Sequence, residues 1–170
     1  LPKALVDAGK EVSVVIPYFK ARAGKLAGYD VEDLGLTIEV PFSHHFHGVN
    51  QQVRVYRTVV DGIAVYLLDA LHNDIFVEPY QEMWKEFCES VILSRASLEL
   101  IRILDLKPQI MHSNDHHAAL VTLYMRTIYK DYFARTGNVF TIHNIGYQGV
   151  YPLAWYPDIG VEGCGNVLVK

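Results

Sequence analysis

Cysteine is scarce in this sequence: Cys88 and Cys164 are the only two among 170 residues, they form no CxxC pair, and no Asn-x-Ser/Thr glycan acceptor occurs. A secreted disulfide scaffold is therefore set aside in favour of a protein of a reducing compartment. Long apolar runs are missing too; a stretch such as Ile63 to Leu68 falls far below the ~18 to 20 residues that span a bilayer. Basic charge is in deficit, with fifteen Lys and Arg against nineteen Asp and Glu, a net charge of −4. No basic run could follow a phosphate backbone, so nucleic acid is not expected as a partner, and neither is a membrane. The sequence also lacks GxxxxGK[ST], a GxGxxG behind a strand, GxSxG and HExxH. P-loop nucleotide handling, esterase chemistry and zinc hydrolysis lose their sequence support with them. What remains is a chain 51% hydrophobic, 20% charged and 12% aromatic, the composition of an ordinary globular domain with a sizeable core.

The pattern along the chain is that of an α/β protein. Leu1 to Lys10 reads as the tail of an amphipathic helix closing at Gly9, and the β-branched run Glu11 to Pro17 as a buried parallel strand behind it. Helix, glycine and strand in that order are the rhythm of a wound sheet. The sequence opens without a start signal and ends in apolar residues, so the expectation is a fragment of a longer chain. Lys20 to Asp33 is polar and reads as a loop. Gln52 to Val59 and Ile63 to Leu68 alternate around Asp61-Gly62, which predicts a β-hairpin, with Leu36 to Val40 as a third strand. Gln81 to Leu104 contains neither Pro nor Gly, and Trp84, Phe87, Cys88, Val91, Leu98 and Ile101 recur at helical spacing, predicting one long helix with an aromatic-rich inward face. Gln109 to His112 then reads as a strand, Ala118 to Lys130 as a helix and Val139 to Ile142 as a second strand.

Two polar segments follow those last two strands: His112-Ser113-Asn114-Asp115-His116-His117 and His143-Asn144-Ile145-Gly146-Tyr147-Gln148-Gly149. In open α/β sheets ligands bind outside the carboxyl ends of parallel strands, which makes this pair the candidate site. Plainer roles compete with that assignment. Asp115 suits a helix N-cap, His143 suits a satisfied core histidine, and Gly146 and Gly149 suit turns. The dense clusters His44-His45-Phe46-His47 and His116-His117 offer a metal alternative, yet they lack the supporting Cys or carboxylate spacing, and neither a metal nor a cofactor is expected.

Three ordered blocks carry a resemblance that spans nearly the whole chain. Leu1-Pro2-Lys3-Ala4-Leu5 with Gly9 to Val12 and Val15 to Tyr18, then His112 to Leu120, then Phe140 to Gly149 together resemble the N-terminal catalytic-region domain of bacterial glycogen synthases and plant starch synthases. The resemblance implies a Rossmann-like wound parallel sheet with a β-hairpin insertion, the N-terminal half of a two-domain GT-B glycosyltransferase. Residues 1–170 would be that domain truncated at both ends. It implies glucose transfer from ADP-glucose to the non-reducing end of an α-1,4-glucan with retention of configuration, in bacterial cytoplasm or plastid stroma. The partners implied are ADP-glucose, the glucan and a C-terminal nucleotide-binding domain of the same parent chain. By the same resemblance His143 is the active-site histidine facing the transferred glucose. Asp115 and His117 belong to the polar loop of the cleft, Asn144, Tyr147 and Gln148 continue the histidine loop, and Tyr80 is an acceptor-side tyrosine.

The family's Lys-x-Gly-Gly-Leu loop would precede Leu1 and the second domain would follow Lys170, so the chain is expected to hold half a cleft and to be inactive alone. Two departures stand out: Asn114 and His116 occupy the places of the second His and the Trp of the family's His-x-His-Asp-Trp-His. The stretch from Pro152 to Gly165 is also short for the family. A stand-alone sugar- or glucan-binding module is the alternative reading.

Overall fold

The structure is a computed structural model that describes residues 1–41, 50–72 and 74–161. The chain opens with α1 (Pro2–Asp7), where Pro2 occupies the first turn, a place in which its missing N–H is no loss. Strand β1 (Ser13–Pro17) then runs parallel to β4 (Ile63–Ala70), in register from Ser13 opposite Ala64 to Pro17 opposite Leu68. Strands β2 (Glu32–Val40) and β3 (Gln51–Val60) complete a mixed sheet in the order β1-β4-β3-β2. The predicted hairpin is β3–β4, and its turn is made by Asp61 and Gly62 at φ 51° and 78°. Two consecutive left-handed residues give the twist that antiparallel strands need, which is why Asp-Gly marks such turns.

The hairpin is a structural part of the sheet, because its second strand is the partner of β1. Parallel pairing is accordingly split among the described residues: β1–β4 lies in the mixed sheet, while β5 (Ile110–Asn114) and β6 (Gly137–Thr141) form a separate parallel pair. The segment read as a loop from Lys20 is instead a run of 3-10 turns, Lys20–Leu26. Its start is tied down by Lys20 N–H to Phe76 O and Ala21 N–H to Val77 O, at 3.1 and 2.9 Å. Tertiary partners far along the chain impose this order, and local polarity does not reveal them.

Helix α2 (Met83–Ile103) matches the long predicted helix but not its one-sided burial. Thirteen of its 21 residues are buried, including Glu89, Ser90, Ser94 and Ser97, so it is enclosed around most of its circumference, as a helix between two layers must be. Phe87, Cys88, Val91 and Ile92 pack with Val53, Val55, Leu68 and Ala70 of the mixed sheet, and Trp84 lies at the margin. Leu98 and Ile101 join a second cluster with Val121, Tyr124, Met125 and Phe133. Each such apolar side chain contributes roughly 1.5–3 kcal/mol by leaving water.

The helix expected from Ala118 to Lys130 is shorter. A 3-10 turn, His116–Ala118, leads into α3 (Leu120–Arg126). Thr127 ends it, with its hydroxyl bonded back to Leu123 O at 2.8 Å and its backbone at φ −118°, ψ −90°, an alternative that Thr offers the backbone in place of further helix. Buried Tyr124 anchors α3, its hydroxyl donating to Ile159 O at 2.8 Å, while Leu120 and Ile128 are half-buried. A last 3-10 segment, Leu153–Ile159, closes over the core with Tyr151 and Trp155 against Phe87.

Candidate functional site

The parallel pair β5–β6 positions the site. Asn114 stands opposite Thr141 at the last rung, and Asp115 N–H extends the ladder to Thr141 O at 2.9 Å. β5 runs two residues further than its sequence pattern indicates, carrying Ser113 and Asn114 as strand. Asp115 holds the N-cap position of the 3-10 turn His116–Ala118, but its side chain makes no cap bond there. Its backbone sits at φ 56°, ψ 179°, a region that glycine alone visits freely and that costs another residue on the order of 1–3 kcal/mol. In that conformation its carboxylate Oδ1 accepts the backbone N–H of His143 at 2.7 Å. His143 is exposed, so the satisfied-core alternative fails. Its ring Nε2 lies 3.0 Å from Asn114 Oδ1. Beneath them His112 Nε2 meets Thr141 Oγ1 at 2.7 Å.

The second segment folds back as a turn. Asn144 Oδ1 accepts Gly146 N–H at 2.9 Å and its carbonyl accepts Tyr147 N–H at 3.1 Å, while Gln148 Nε2 donates to Ile145 O at 3.1 Å. This carries Tyr147 to Tyr80, ring centroids 5.6 Å apart, and Tyr80 meets His117 edge-on at 6.3 Å. Tyr80 and Tyr147 are 66% and 59% exposed, and Tyr80 holds a left-handed backbone at φ 62°. The loop then passes over His116 at Gly149. There φ is +64°, and a Cβ would lie 2.8 Å from His116 Cβ, so neither the dihedral nor the space admits a side chain. Between this loop and the start of α2 lies a cleft of about 440 Å³, lined by Gln81, Met83, Glu86, His116 and residues 146–151. The site thus has two parts, the strand-end network at His143 and the aromatic cleft beside it. Tyr147 and Gln148 line the cleft; His143 and Asp115 do not.

The profile of the starch synthase catalytic domain matches residues 1–166 of the chain. The chain belongs to that family. Its relatives include a glycogen synthase of Thermotoga maritima, 34% identical over 156 residues, with 89% of this chain and 31% of that protein covered. A glycogen synthase of Finegoldia magna is 32% identical over 89% of this chain and 31% of its own length. Among solved structures, the catalytic domain of starch synthase IV from Arabidopsis thaliana, bound to ADP and acarbose, superposes with a TM-score of 0.81. The identity is 25%, over 95% of this chain and 32% of that one. The chain therefore spans about a third of the length of its relatives, and its mixed α/β fold is that of the N-terminal GT-B domain of this glycosyltransferase family.

In this starch synthase domain the electrostatics separate the two parts further. Burial, with the neighbouring His116, lowers the His117 pKa to about 4 against a smaller opposing pull from Asp115, so its imidazole is neutral at pH 7. Its ring lies 3.8 Å from that of His116, and His116 Nδ1 and His117 Nε2 are buried without a protein partner. Glu89, 2% exposed in the middle of α2, is pushed up to about 8 by burial and then by Glu86. It is a protonated acid at neutral pH. Among the described residues no group of three or more His, Cys, Asp or Glu is placed to hold a metal ion. His44, His45, His47 and Cys164 lie outside the described residues, as does the end of the Pro152 to Gly165 stretch.

Sequence reasoning did not single out Asn114 as a contact of His143, nor Gly149 as the point where the loop crosses His116. The departure of Asn114 from the family pattern was the available signal for the first. Nothing local announces the second.

Proposed function

We propose that this domain forms one wall of the active-site cleft of a retaining glucosyltransferase that moves glucose from ADP-glucose to the non-reducing end of an α-1,4-glucan. The observation that carries the reading is the clamp of His143 by Asp115 at the carboxyl edge of β5–β6, within a chain matched over almost its whole length by the starch synthase domain. A retaining transfer passes through an oxocarbenium-like state, so the site must orient hydroxyls and stabilise a departing diphosphate. His143, Asn144, Gln148 and Tyr147 are hydrogen-bonding groups suited to the first task. His117, held neutral, adds no competing charge. The described lining of the cleft carries Glu86 and no Lys or Arg. By the family resemblance, the diphosphate cations are assigned to the Lys-x-Gly-Gly-Leu loop and to a C-terminal nucleotide-binding domain of the parent chain. Exposed Tyr80 and Tyr147 give the acceptor glucan an aromatic surface. No helix among the described residues is long and apolar enough to cross a membrane, and with bacterial relatives the reading places the enzyme in the cytoplasm, or in plastid stroma for a plant parent.

Incorporation of labelled glucose from ADP-glucose into glycogen tests the proposal. The parent-length enzyme is expected to elongate the glucan and the isolated 170 residues to give no turnover. Turnover by the isolated chain would sink the half-cleft reading. Glucan binding by a parent that lacks any transfer would favour the binding-module alternative, for which the exposed Tyr80–Tyr147 pair is the supporting feature.

A further inference from the structure

The His143 imidazole has one contact that the clamp by Asp115 does not explain: its Nε2 faces Asn114 Oδ1 at 3.0 Å. The amide of Asn114 is itself turned. Its Nδ2 reaches back along β5 to His112 O at 3.5 Å, a long bond that leaves Oδ1 directed at the ring. An amide oxygen accepts and cannot donate, so the ring nitrogen opposite must carry the proton. A neutral imidazole has one N–H and one lone pair, and the bond made by one nitrogen sets the state of the other.

We infer that Asn114 is a positioning residue for His143, fixing the Nε2–H tautomer so that Nδ1 is left as the ring's lone-pair acceptor. The inference rests on the proposed reaction only for its consequence. A ring so fixed can receive a hydrogen bond from a sugar hydroxyl at Nδ1, and it does not offer a second N–H to a departing oxyanion. His143 is then an orienting group whose backbone is held by Asp115 and whose ring is held by Asn114, one residue earlier on the same strand end. Both holds are needed because the side chain is exposed and would otherwise sample several rotamers. A histidine at position 114, as in the family pattern, could donate or accept and would leave the tautomer of residue 143 open. Asn114 removes that freedom.

Nitrogen-15 correlation spectra of the chain at pH 8, with the His143 signals assigned by their loss in His143→Gln, read the tautomer directly. The expected result is a protonated Nε2 and an unprotonated Nδ1 in the wild-type chain; Nδ1–H as the major form overturns the inference without any variant. Asn114→Leu is expected to give an averaged ring pattern and faster exchange of the Nε2 proton. Asn114→Asp, which keeps an acceptor in place, is expected to retain the wild-type tautomer. An Asn114→Leu or Asn114→Ala chain with an unchanged ring pattern overturns the assignment. In the parent-length enzyme Asn114→Leu is expected to lower kcat roughly three- to tenfold, with KM within about twofold and Asn114→Asp restoring most of it, the scale of one hydrogen bond. A wild-type parent that transfers no glucose counts against the proposed reaction, while the spectra still decide the role of Asn114.

Discussion

Two aspartates in this chain share a backbone angle and differ in everything it achieves. Asp61 sits at φ 51° in the β3–β4 turn and Asp115 at φ 56° at the exit of β5. At Asp61 the left-handed backbone is ordinary turn chemistry: Gly62 follows at φ 78° and the strands on either side remain paired, Val60 opposite Ile63. At Asp115 no glycine follows, ψ is 179°, and the carboxylate reaches 28 residues along the chain to the His143 amide. Strain at the first position shapes the sheet, whereas strain at the second aims a side chain. The comparison shows that a positive φ becomes informative about function only when the side chain it carries has a distant partner.

Removing what Asp115 aims breaks the comparison most severely. His143→Ala in the parent-length enzyme is expected to lower kcat at least about 100-fold, the scale of losing a group that acts on the transition state. The melting temperature should change little, since the side chain is exposed. Near-normal turnover would show that the strand-end network is architecture only.

The next effect concerns stability and contrasts the solvent-facing site with the interior of α2. Glu89 has a folded pKa raised to about 8 from an ordinary 4.5. The unfolded chain therefore releases its proton first, and stability falls as pH rises from about 4.5 to about 8, then levels. Glu89→Gln keeps the shape without the ionisation and is expected to stabilise the chain at pH 8 by up to about 4 kcal/mol. The gain should vanish at pH 4, and denaturant melts at the two pH values check it. His117 acts with the opposite sign. Its folded pKa of about 4 lies below its ordinary 6.5, so its contribution is lost as pH falls from about 6.5 to 4.

Glycine substitutions then sharpen the contrast between the two aspartates. Asp115→Gly relieves the backbone and deletes the carboxylate, so the chain is expected to melt no lower, within about 1 kcal/mol, while the parent enzyme loses activity. Asp61→Gly should leave both near wild type. Loss of activity from Asp61→Gly, or none from Asp115→Gly, would erase the distinction. Gly149→Ala is expected to destabilise the chain by about 1–2 kcal/mol, because a Cβ meets His116 at 2.8 Å in a left-handed backbone. Its mark should be sharper in tyrosine fluorescence near Tyr147 than in the melt.

The same contrast explains what could be seen in the sequence. The hairpin was legible because Asp-Gly acts on its own neighbours, and the three family blocks placed His143 and Asp115 at adjoining strand ends. The end of β5 was not legible: Ser113, Asn114 and Asp115 have the local signature of a cap, and only the ladder to β6 keeps Asn114 extended. Burial of Glu89 and three serines in α2 was equally hidden, since α2 contributes to two apolar clusters that draw on residues far along the chain. Tyr80 was placed by resemblance, but its contact with His117 and Tyr147 depends on three loops meeting. In each case the missing information was the identity of a partner far along the chain.

Helix α2 separates two apolar clusters, yet Leu106, Leu120 and Ile159 pack against both. Neither cluster can dissolve without stripping cover from the other, so the described chain is built to melt as one cooperative unit. Leu120 begins α3 directly behind the His116–Ala118 turn. The strand-end network is therefore joined, through that turn, to packing that both clusters share.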